Sequence, residues 1–444
     1  MTATLSSNPL AAGWAALSAA RGGQEPAWAK DRRARALAVA EELAWPSRAD
    51  ELWRRTDFGA LAPESLDWNA AGAVANDIAS LPALIRARLA ADTAHPAVIV
   101  QRNNTVAYAA VDDALAKRGV IVCSMERALR EHAALVEPRL HSLVETDHDR
   151  WAALQQALRM GGVFVYVPAG VELEAPIRLV QWLDGAGVAT APATVVVVER
   201  TARATVIEEL LSETADAPSL YTGSTEVFVG EDAKLVHATL QHWGRNVWHY
   251  SNQRAEVKRG AELQWIQTLL GGRIEKTNSY FRMVEPGAHV FVHGFMFGDQ
   301  RQHFDMHTLQ KHLADHCTSD LMIKGCLKDR ARSVYQGLIQ VAEGAQRTDA
   351  YQANRNLLLS DTARADSIPG LEILANDVRC THGATIGTVD PEQMYYLMAR
   401  GLRSHEAQRL IVEGFFAPVI DRIPLESVRE QLREIIQTKI GLET

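Results

Sequence analysis

The spacing of apolar residues first predicts two helices. An asparagine–proline pair at residues 8–9 is typical of a helix start, and the glycine pair at 22–23 is typical of a helix end. A second helix is expected over residues 28–45, because Pro46 cannot continue it. The segment WRRTDF at residues 53–58 mixes aromatic and basic side chains and is expected to pack between a helix and a loop.

Strand-like runs follow the two helices. Residues 97–101, 105–111 and 120–123 are rich in β-branched residues, and Asn103–Asn104 between the first two runs is expected to form a hairpin turn. The spacing then becomes helical again from Ser124 to about Met160.

From Gly161 the pattern changes to short strands separated by small-residue corners. The corner alanines Ala233, Ala261 and Ala288 lie 28 and 27 positions apart, and similar corners recur around Ala331, Ala345 and Ala363. A corner that recurs every 20–30 residues, with strands between, is typical of a β-solenoid, in which each coil hides its apolar face by stacking on the next. A β-sandwich or jelly roll is the alternative.

The strands are expected to stop after His382, where three helix starts follow. Asp390–Pro391 is a typical start for a helix that runs to Gly401. Ser404 is expected to cap a second helix that ends near Gly414, and a third helix is expected over residues 424–441. Because these helices are too few to form a large core, they should pack on the open end of the solenoid or on another protein.

These patterns divide the chain into three predicted domains. Residues 1–155 form a helical or α+β domain, residues 156–385 a β-solenoid core, and residues 386–444 a helical domain.

Composition excludes several classes of protein. The chain has 444 residues and a net charge of −8, which gives no general attraction to nucleic acid or to an anionic membrane. No apolar run is long enough to span a bilayer, and the start of the chain does not have the pattern of a signal peptide, so we expect a cytoplasmic protein. Its four cysteines are too scattered for a disulfide framework or a CxxC zinc site.

Two groups of side chains could bind metal. Cys380 and His382 are two residues apart, so they share one face of an extended chain, either as an ordinary packed strand end or as soft-metal ligands. A second group is rich in histidine and would suit a stand-alone metal site, or would be polar side chains on the outer face of the strands. Its members are His289, His293, His303, Asp305, His307, His312, His316 and Cys317.

Catalytic signals are weak. Glu208 and Glu209 form an acidic pair after a strand, which on a β-helix is most simply a solvated face, although a β-helix enzyme acting on carbohydrate would also use carboxylates. The missing signal peptide argues against that enzyme. No nucleophile, base and orienting group occur together in a recognisable motif.

Several long strings resemble the SufB/SufD family of iron–sulfur cluster assembly subunits, and its SufD branch in particular. The resemblance covers most of residues 160–440, with the strings at 161–177, 303–325 and 354–402 the most specific. In the SufB branch the region around residue 380 reads differently and carries acceptor cysteines, whereas CTHGAT at 380–385 is similar to the SufD branch.

The resemblance implies a right-handed parallel β-helix flanked by helical domains. It also implies a complex with SufB, which pairs through the β-helix cores, and with two copies of the SufC ATPase, which dock on the C-terminal helical domains. The isolated chain could form a homodimer, and reduced flavin is an implied ligand of the complex.

The resemblance also implies roles for named residues. His382 corresponds to the histidine of the family motif C-x-H-G-A-T, which lies at the interface with SufB and helps to hold a transient iron–sulfur cluster together with a SufB cysteine. Cys380 matches the motif too and is expected at the same cluster-assembly interface, although the resemblance is not taken to imply a ligand role for it. Gln393, Tyr396 and Arg400 fall in the region that docks SufC.

Overall fold

The computed structural model describes residues 9–90, 96–423 and 425–440. The helices are α1 (Pro9–Arg21), α2 (Ala27–Glu42), α3 (Ala83–Ala90), α4 (Asp113–Lys117), α5 (Met125–Glu131), α6 (Ala133–Val136), α7 (Arg150–Ala157), α8 (Pro391–Ala399), α9 (Ser404–Ile420) and α10 (Glu426–Ile440).

The first ten strands are β1 (Ala97–Arg102), β2 (Thr105–Val111), β3 (Ile121–Ser124), β4 (Val163–Val167), β5 (Ile177–Trp182), β6 (Ala189–Thr190), β7 (Ala193–Val198), β8 (Arg203–Leu211), β9 (Ser219–Val229) and β10 (Lys234–His242). The other ten are β11 (Val247–Val257), β12 (Glu262–Leu269), β13 (Ile274–Met283), β14 (His289–Gly298), β15 (His303–His312), β16 (Thr318–Leu327), β17 (Arg332–Val341), β18 (Asp349–Leu358), β19 (Arg364–Ile373) and β20 (Arg379–Thr388).

The strands form a β-solenoid of about eight turns, as predicted. One sheet has the order β2-β1-β5-β8-β10-β12-β14-β16-β18-β20, and the other has the order β19-β17-β15-β13-β11-β9-β7-β4-β3. From β8 and β9 onward, successive strands of each sheet pair in parallel without a register shift. Strands β1–β3 belong to the same two sheets, so the division of the chain at residue 155 stays a prediction.

At the small-residue corners the chain turns from one strand to the next, and the alanine side chain lies inside the solenoid. The side chains of Ala233, Ala261, Ala288, Ala331 and Ala345 are all fully buried. Three of these alanines directly follow a residue with positive φ, namely Asp232, Gly260 and Gly287. Each corner therefore combines a left-handed turn with a side chain small enough to lie between stacked coils, which explains the spacing seen in the sequence.

Helical structure between residues 124 and 160 is less continuous than expected. Helices α5 and α6 are separated by His132 alone, whereas a loop over residues 137–149, in which His141 adopts a φ of 54°, separates α6 from α7. The buried carboxylate of Glu226 accepts hydrogen bonds from the backbone N–H groups of His141, Leu143 and Val144. Because these N–H groups bind a side chain of the solenoid, the loop is fixed on the second sheet and interrupts the helical stretch expected from Ser124 to about Met160.

Helices α9 and α10 pack along the side of the solenoid, so the expectation that they would close its open end is wrong. Phe416 of α9 lies against Phe295, with ring centroids 4.6 Å apart. The outer face of the first sheet is apolar here, at Ile207, Ala238 and Ile266, and these residues share one core with α9 and α10. The apolar outer face explains why the helices lie along the sheet.

The ends of these helices differ in part from the prediction. Helix α8 begins at Pro391 as expected, whereas α9 continues through Gly414 and Pro418 to Ile420. The predicted caps at Asn8, Pro424 and Gly441 lie outside the described residues.

Close stacking of the coils makes one glycine sensitive to substitution. A Cβ atom at Gly271 would lie 2.0 Å from the carbonyl oxygen of Trp243 in the preceding coil. We expect Gly271→Ala to destabilise the chain by more than about 1 kcal/mol, because two backbones must separate. At Gly344 an added Cβ has open space, so Gly344→Ala is the control. Urea unfolding midpoints measure both, and equal midpoints for both variants would contradict the prediction.

Candidate functional site

The last coil of the solenoid, formed by β19 and β20, leaves both sheets open. Strand β20 ends one sheet and β19 ends the other, so neither has a neighbour on its outer side in the described chain. Most residues of β20 are exposed, and the apolar side chains Leu371, Leu374 and Ile386 are 38%, 60% and 48% exposed. Pro369 lies within β19, at the kind of edge position where a missing N–H is tolerated.

Cys380 and His382 both lie on the inward-facing side of β20, as the alternation predicted. In the parallel register Cys380 pairs with the buried Ala350, and His382 pairs with the buried Gln352. In the earlier coils, the residues in register with His382 form a column of inward-facing side chains. These are Val206, His237, Trp265, Val292, Leu321 and Gln352.

The two side chains differ in accessibility. Cys380 is half-buried and packs with a small apolar cluster that includes Ile339 and Val341. Burial, together with the nearby Asp349 carboxylate, raises the pKa of the Cys380 thiol. His382 is exposed, because no further coil covers its column. The imidazole is therefore the accessible candidate metal ligand of the pair, and the thiol is held in its protonated form near neutral pH.

Gln352 lies beside His382 in the column, and its side chain is fully buried. Neither its amide nitrogen nor its amide oxygen has a hydrogen-bond partner among the described residues. This buried amide keeps its capacity to hydrogen-bond a group that enters the column, since an amide can both donate and accept.

Helix α8 continues from the terminal coil and remains uncovered. Strand β20 runs on to Thr388, so the expectation that strands stop after His382 is wrong by six residues. Asp390 then caps α8 by accepting the N–H of Glu392 at 2.9 Å. No residue of α8 is buried, and Tyr395 is 76% exposed.

The three residues expected to dock an ATPase lie in this exposed segment. Gln393, Tyr396 and Arg400 are all exposed. The Arg400 guanidinium lies over the Tyr396 ring at 5.1 Å. A cation on an exposed aromatic ring next to an uncovered edge is a suitable binding surface.

The histidine-rich group does not converge on one site. His303, Asp305 and His307 share the outer face of β15, as predicted for a strand, whereas His312 points inward and contacts Ser319 at 2.9 Å. His293 lies on the other sheet. Within the described ranges no group of three or more histidine, cysteine or acidic residues is placed to hold a metal ion.

A lysine ammonium binds the carboxylate of this group. Lys276 Nζ lies 3.0 Å from Asp305 Oδ2 and donates to the backbone oxygen of Leu52 at 2.6 Å. Burial favours the neutral carboxyl, but the Lys276 ammonium together with His307 and the Thr56 hydroxyl outweighs it and holds the pKa of Asp305 well below its ordinary value. Burial also lowers the pKa of His303 to about 4, and Thr56 contacts its ring at 2.8 Å. The Thr56 hydroxyl also donates to Asp305 Oδ2, so hydrogen bonds to this buried ion pair fasten the WRRTDF segment to the solenoid.

Lys276 and Thr56 are residues that sequence reasoning missed. The lysine lies nearly one coil before Asp305, and only the stacking of β13 on β15 brings the two together. A lysine within a strand of otherwise buried residues was the available signal, because buried lysines are normally paired.

The acidic pair is not a solvated face, so that interpretation was wrong. Glu208 points into the solenoid, where burial raises its pKa to about 7. Glu209 points to the other side of the strand and forms a buried ion pair with Arg178. The two carboxylates lie on opposite faces of β8 and cannot act on one substrate.

Comparison with family models assigns the chain, including its terminal coil, to a protein family. The family model described as "SUF system FeS cluster assembly, SufBD core domain" matches residues 181–415. The model described as "SufBD protein N-terminal region" matches residues 23–179. The chain belongs to the SufBD family.

Individual relatives agree with this assignment. The SufBD-family chain is 30% identical to the iron–sulfur cluster assembly protein SufD of Bacillus subtilis (strain 168), over 94% of its own length and 95% of the relative. It is 26% identical to SufBD family proteins of Staphylococcus epidermidis (strain ATCC 12228) and Staphylococcus haemolyticus (strain JCSC1435), in each case over 76% of the chain and 73% of the relative. The family acts in iron–sulfur cluster assembly, as the sequence resemblance implied.

None of the helices in the described ranges combines the length and the apolar composition needed to cross a bilayer.

The buried Lys276–Asp305 pair gives a prediction for stability. Asp305→Asn leaves the ammonium without its counter-charge, so we expect a loss of about 3–5 kcal/mol. The double variant Lys276→Met, Asp305→Leu should lose less, because no charge is left unpaired. Glu262→Gln, which breaks the exposed pair with Lys234, is the control and should cost less than about 1 kcal/mol. Denaturant unfolding measures the free energy of unfolding of all three variants. An Asp305→Asn variant as stable as the control would contradict the assignment of a buried ion pair between Lys276 and Asp305.

Proposed function

We propose that this SufBD-family chain is a non-catalytic scaffold subunit of an iron–sulfur cluster assembly complex. It pairs with SufB through its terminal coil and docks the SufC ATPase on its C-terminal helices. The observation that carries the proposal is the open terminal coil, which places Cys380 and His382 at an uncovered end of both sheets.

The free edges of β19 and β20 support pairing with another β-helix. An uncovered edge strand presents a row of unpaired backbone N–H and C=O groups, which is a template for strand addition. The apolar side chains Leu371 and Ile386 would be covered by such a partner. SufB, which shares the fold in this family, is the proposed partner, and in its absence two copies of this chain could pair through the same edge.

The cluster is the product that the pair of subunits assembles. His382 supplies one imidazole and a SufB cysteine supplies a thiolate, while Gln352 lies next to His382 in the column. A site made of one ligand from each subunit leaves iron positions open, which suits a cluster that must be released. Cys380 lies beside the site, and its raised pKa makes it a poorer ligand than His382.

Helix α8 is the proposed docking element for SufC. It follows β20 after a short connection, so a protein bound on α8 also lies close to the terminal coil. ATP-driven association of two SufC subunits would then pull on the joint between SufB and this chain and open or close the site around His382. The complex would act in the cytoplasm. The proposal does not include the reduced flavin that the resemblance implied.

Substitution of His382 tests the cluster site. We expect His382→Ala to leave the complex assembled, because the side chain is exposed, and to abolish cluster formation in cells. Affinity purification measures assembly, and the activity of an iron–sulfur enzyme in the same cells measures cluster supply. Thr381→Ala, whose side chain points to the opposite face of β20, is the control and should retain full supply. Full supply in His382→Ala would refute the proposed site.

Substitution of Tyr396 tests the docking surface. We expect Tyr396→Ala to weaken recovery of the ATPase with the tagged chain at least tenfold, since an exposed aromatic residue paired with Arg400 is a typical binding hot spot. Val74→Ala, at another exposed apolar residue, is the control. Pull-down from the native host followed by quantitative mass spectrometry measures recovery of both SufB and SufC. Loss of neither protein in Tyr396→Ala would place the docking surface elsewhere.

A further inference from the structure

A small cavity lies between helix α2, the loop over residues 137–149 and the end of α7, on the far side of the chain from helices α8–α10. It has room for about one water-sized sphere, with a volume of about 10 Å³. Its lining is unusually basic. The lining residues are Trp28, Ala29, Arg32, Arg33, Leu140, His141, Gln156 and Arg159.

Charges around the cavity do not balance. Arg33 and Arg159 are 4% and 3% exposed, and both bind the single carboxylate of Glu25, Arg33 at 2.6 Å. Asp67 and Glu126 are the other carboxylates whose charge acts on this group, so with Arg21 and Arg32 four guanidinium groups face three carboxylates. Burial and the neighbouring Arg33 and Arg159 also lower the pKa of Arg21 to about 9, which shows how positive this region is. An uncompensated buried charge costs several kcal/mol, so a further negative charge would stabilise the fold.

The same cavity has nitrogen atoms without hydrogen-bond partners. Arg159 Nη1, Trp28 Nε1 and both ring nitrogens of His141 are buried and make no hydrogen bond to the described residues. Burial and the surrounding arginines lower the pKa of His141 well below its ordinary value, so its ring is neutral and has one N–H to donate. Guanidinium, indole and imidazole N–H groups are all donors, which is the set expected around an anion.

We propose that this cavity binds a small monovalent anion of the size of chloride, held by the N–H groups of Arg159, Trp28 and His141. One negative charge offsets the excess of one guanidinium group over the carboxylates, which a water molecule cannot do. Room for about one water-sized sphere favours an ion of this size over phosphate, sulfate or a carboxylate ligand. The site is distinct from the terminal coil and from α8, and it does not depend on the proposed role in cluster assembly.

The bound anion would fasten the N-terminal helices to the solenoid. Trp28 belongs to α2, and His141 belongs to the loop that Glu226 of β9 anchors through backbone N–H groups. Arg32 bridges the same two elements by donating to the backbone oxygen of Leu140 at 2.8 Å. An anion between Trp28 and His141 adds a connection that ordinary packing does not provide, so its binding should stabilise this region.

The test compares sodium chloride with sodium gluconate at equal ionic strength, using the full-length chain. Chloride should raise the melting temperature of the wild-type chain in a saturable way, because a ligand that binds only the folded state stabilises it. Trp28→Phe removes one donor and keeps an aromatic ring, and His141→Asn suits the left-handed backbone at φ 54°. Both variants should lose at least half of the chloride-specific increase, whereas the control Trp45→Phe should keep it.

Crystals grown in sodium bromide provide a direct readout that does not depend on stability. Anomalous scattering should show bromide in contact with Arg159 Nη1 in the wild-type chain and none in Trp28→Phe. Water in place of bromide, or an equal chloride increase in wild type and Trp28→Phe, would overturn the proposal.

Discussion

Parallel, in-register stacking of coils is the constraint on which the rest of this structure depends. Each coil satisfies its backbone N–H and C=O groups, and buries its inward side chains, only through the coil before it and the coil after it. The fully buried corner alanines and the 2.0 Å approach predicted for a Cβ at Gly271 both follow from this close stacking. A stack must also end, and at its end one coil has a single neighbour. The exposed β20 is the direct consequence, and the position of the candidate site follows from it.

Buried polar groups hold the other segments on this stack. Glu226 anchors the loop over residues 137–149, the Lys276–Asp305 pair anchors the WRRTDF segment, and Lys439 of α10 pairs with Asp299 at 2.9 Å. Each anchor places a charged group of the solenoid where the attached segment must supply a specific partner. Such buried charged contacts contribute little net stability, but an attached segment in any other position would leave buried charged groups short of hydrogen-bond partners. They therefore select one docked arrangement, while apolar packing supplies most of the stabilisation.

The sequence predicts the solenoid well because the corners repeat. The spacing of Ala233, Ala261 and Ala288 requires only local information, and so does the Asp390–Pro391 start of α8. Contacts between coils are different. Nothing near Asp305 in sequence indicates Lys276, and nothing in the run around Glu208 indicates which of two adjacent carboxylates points inward. The side-on packing of α9 was also not predictable, since apolar outer residues such as Phe295 indicate that a covering element exists without showing which one.

The two residues of the terminal coil show how a shared face can give different chemistry. Alternation predicted that Cys380 and His382 point the same way, and the register confirms it. What alternation could not predict is their difference in burial. Cys380 packs against side chains of the previous coils and keeps its proton, whereas His382 occupies a column position that in every earlier coil is covered by the next strand. In β20 that covering strand is missing from the described chain, so a partner subunit that continued the sheet would lay its own side chain over His382. A ligand that becomes enclosed only when the partner binds couples formation of the site to assembly of the complex.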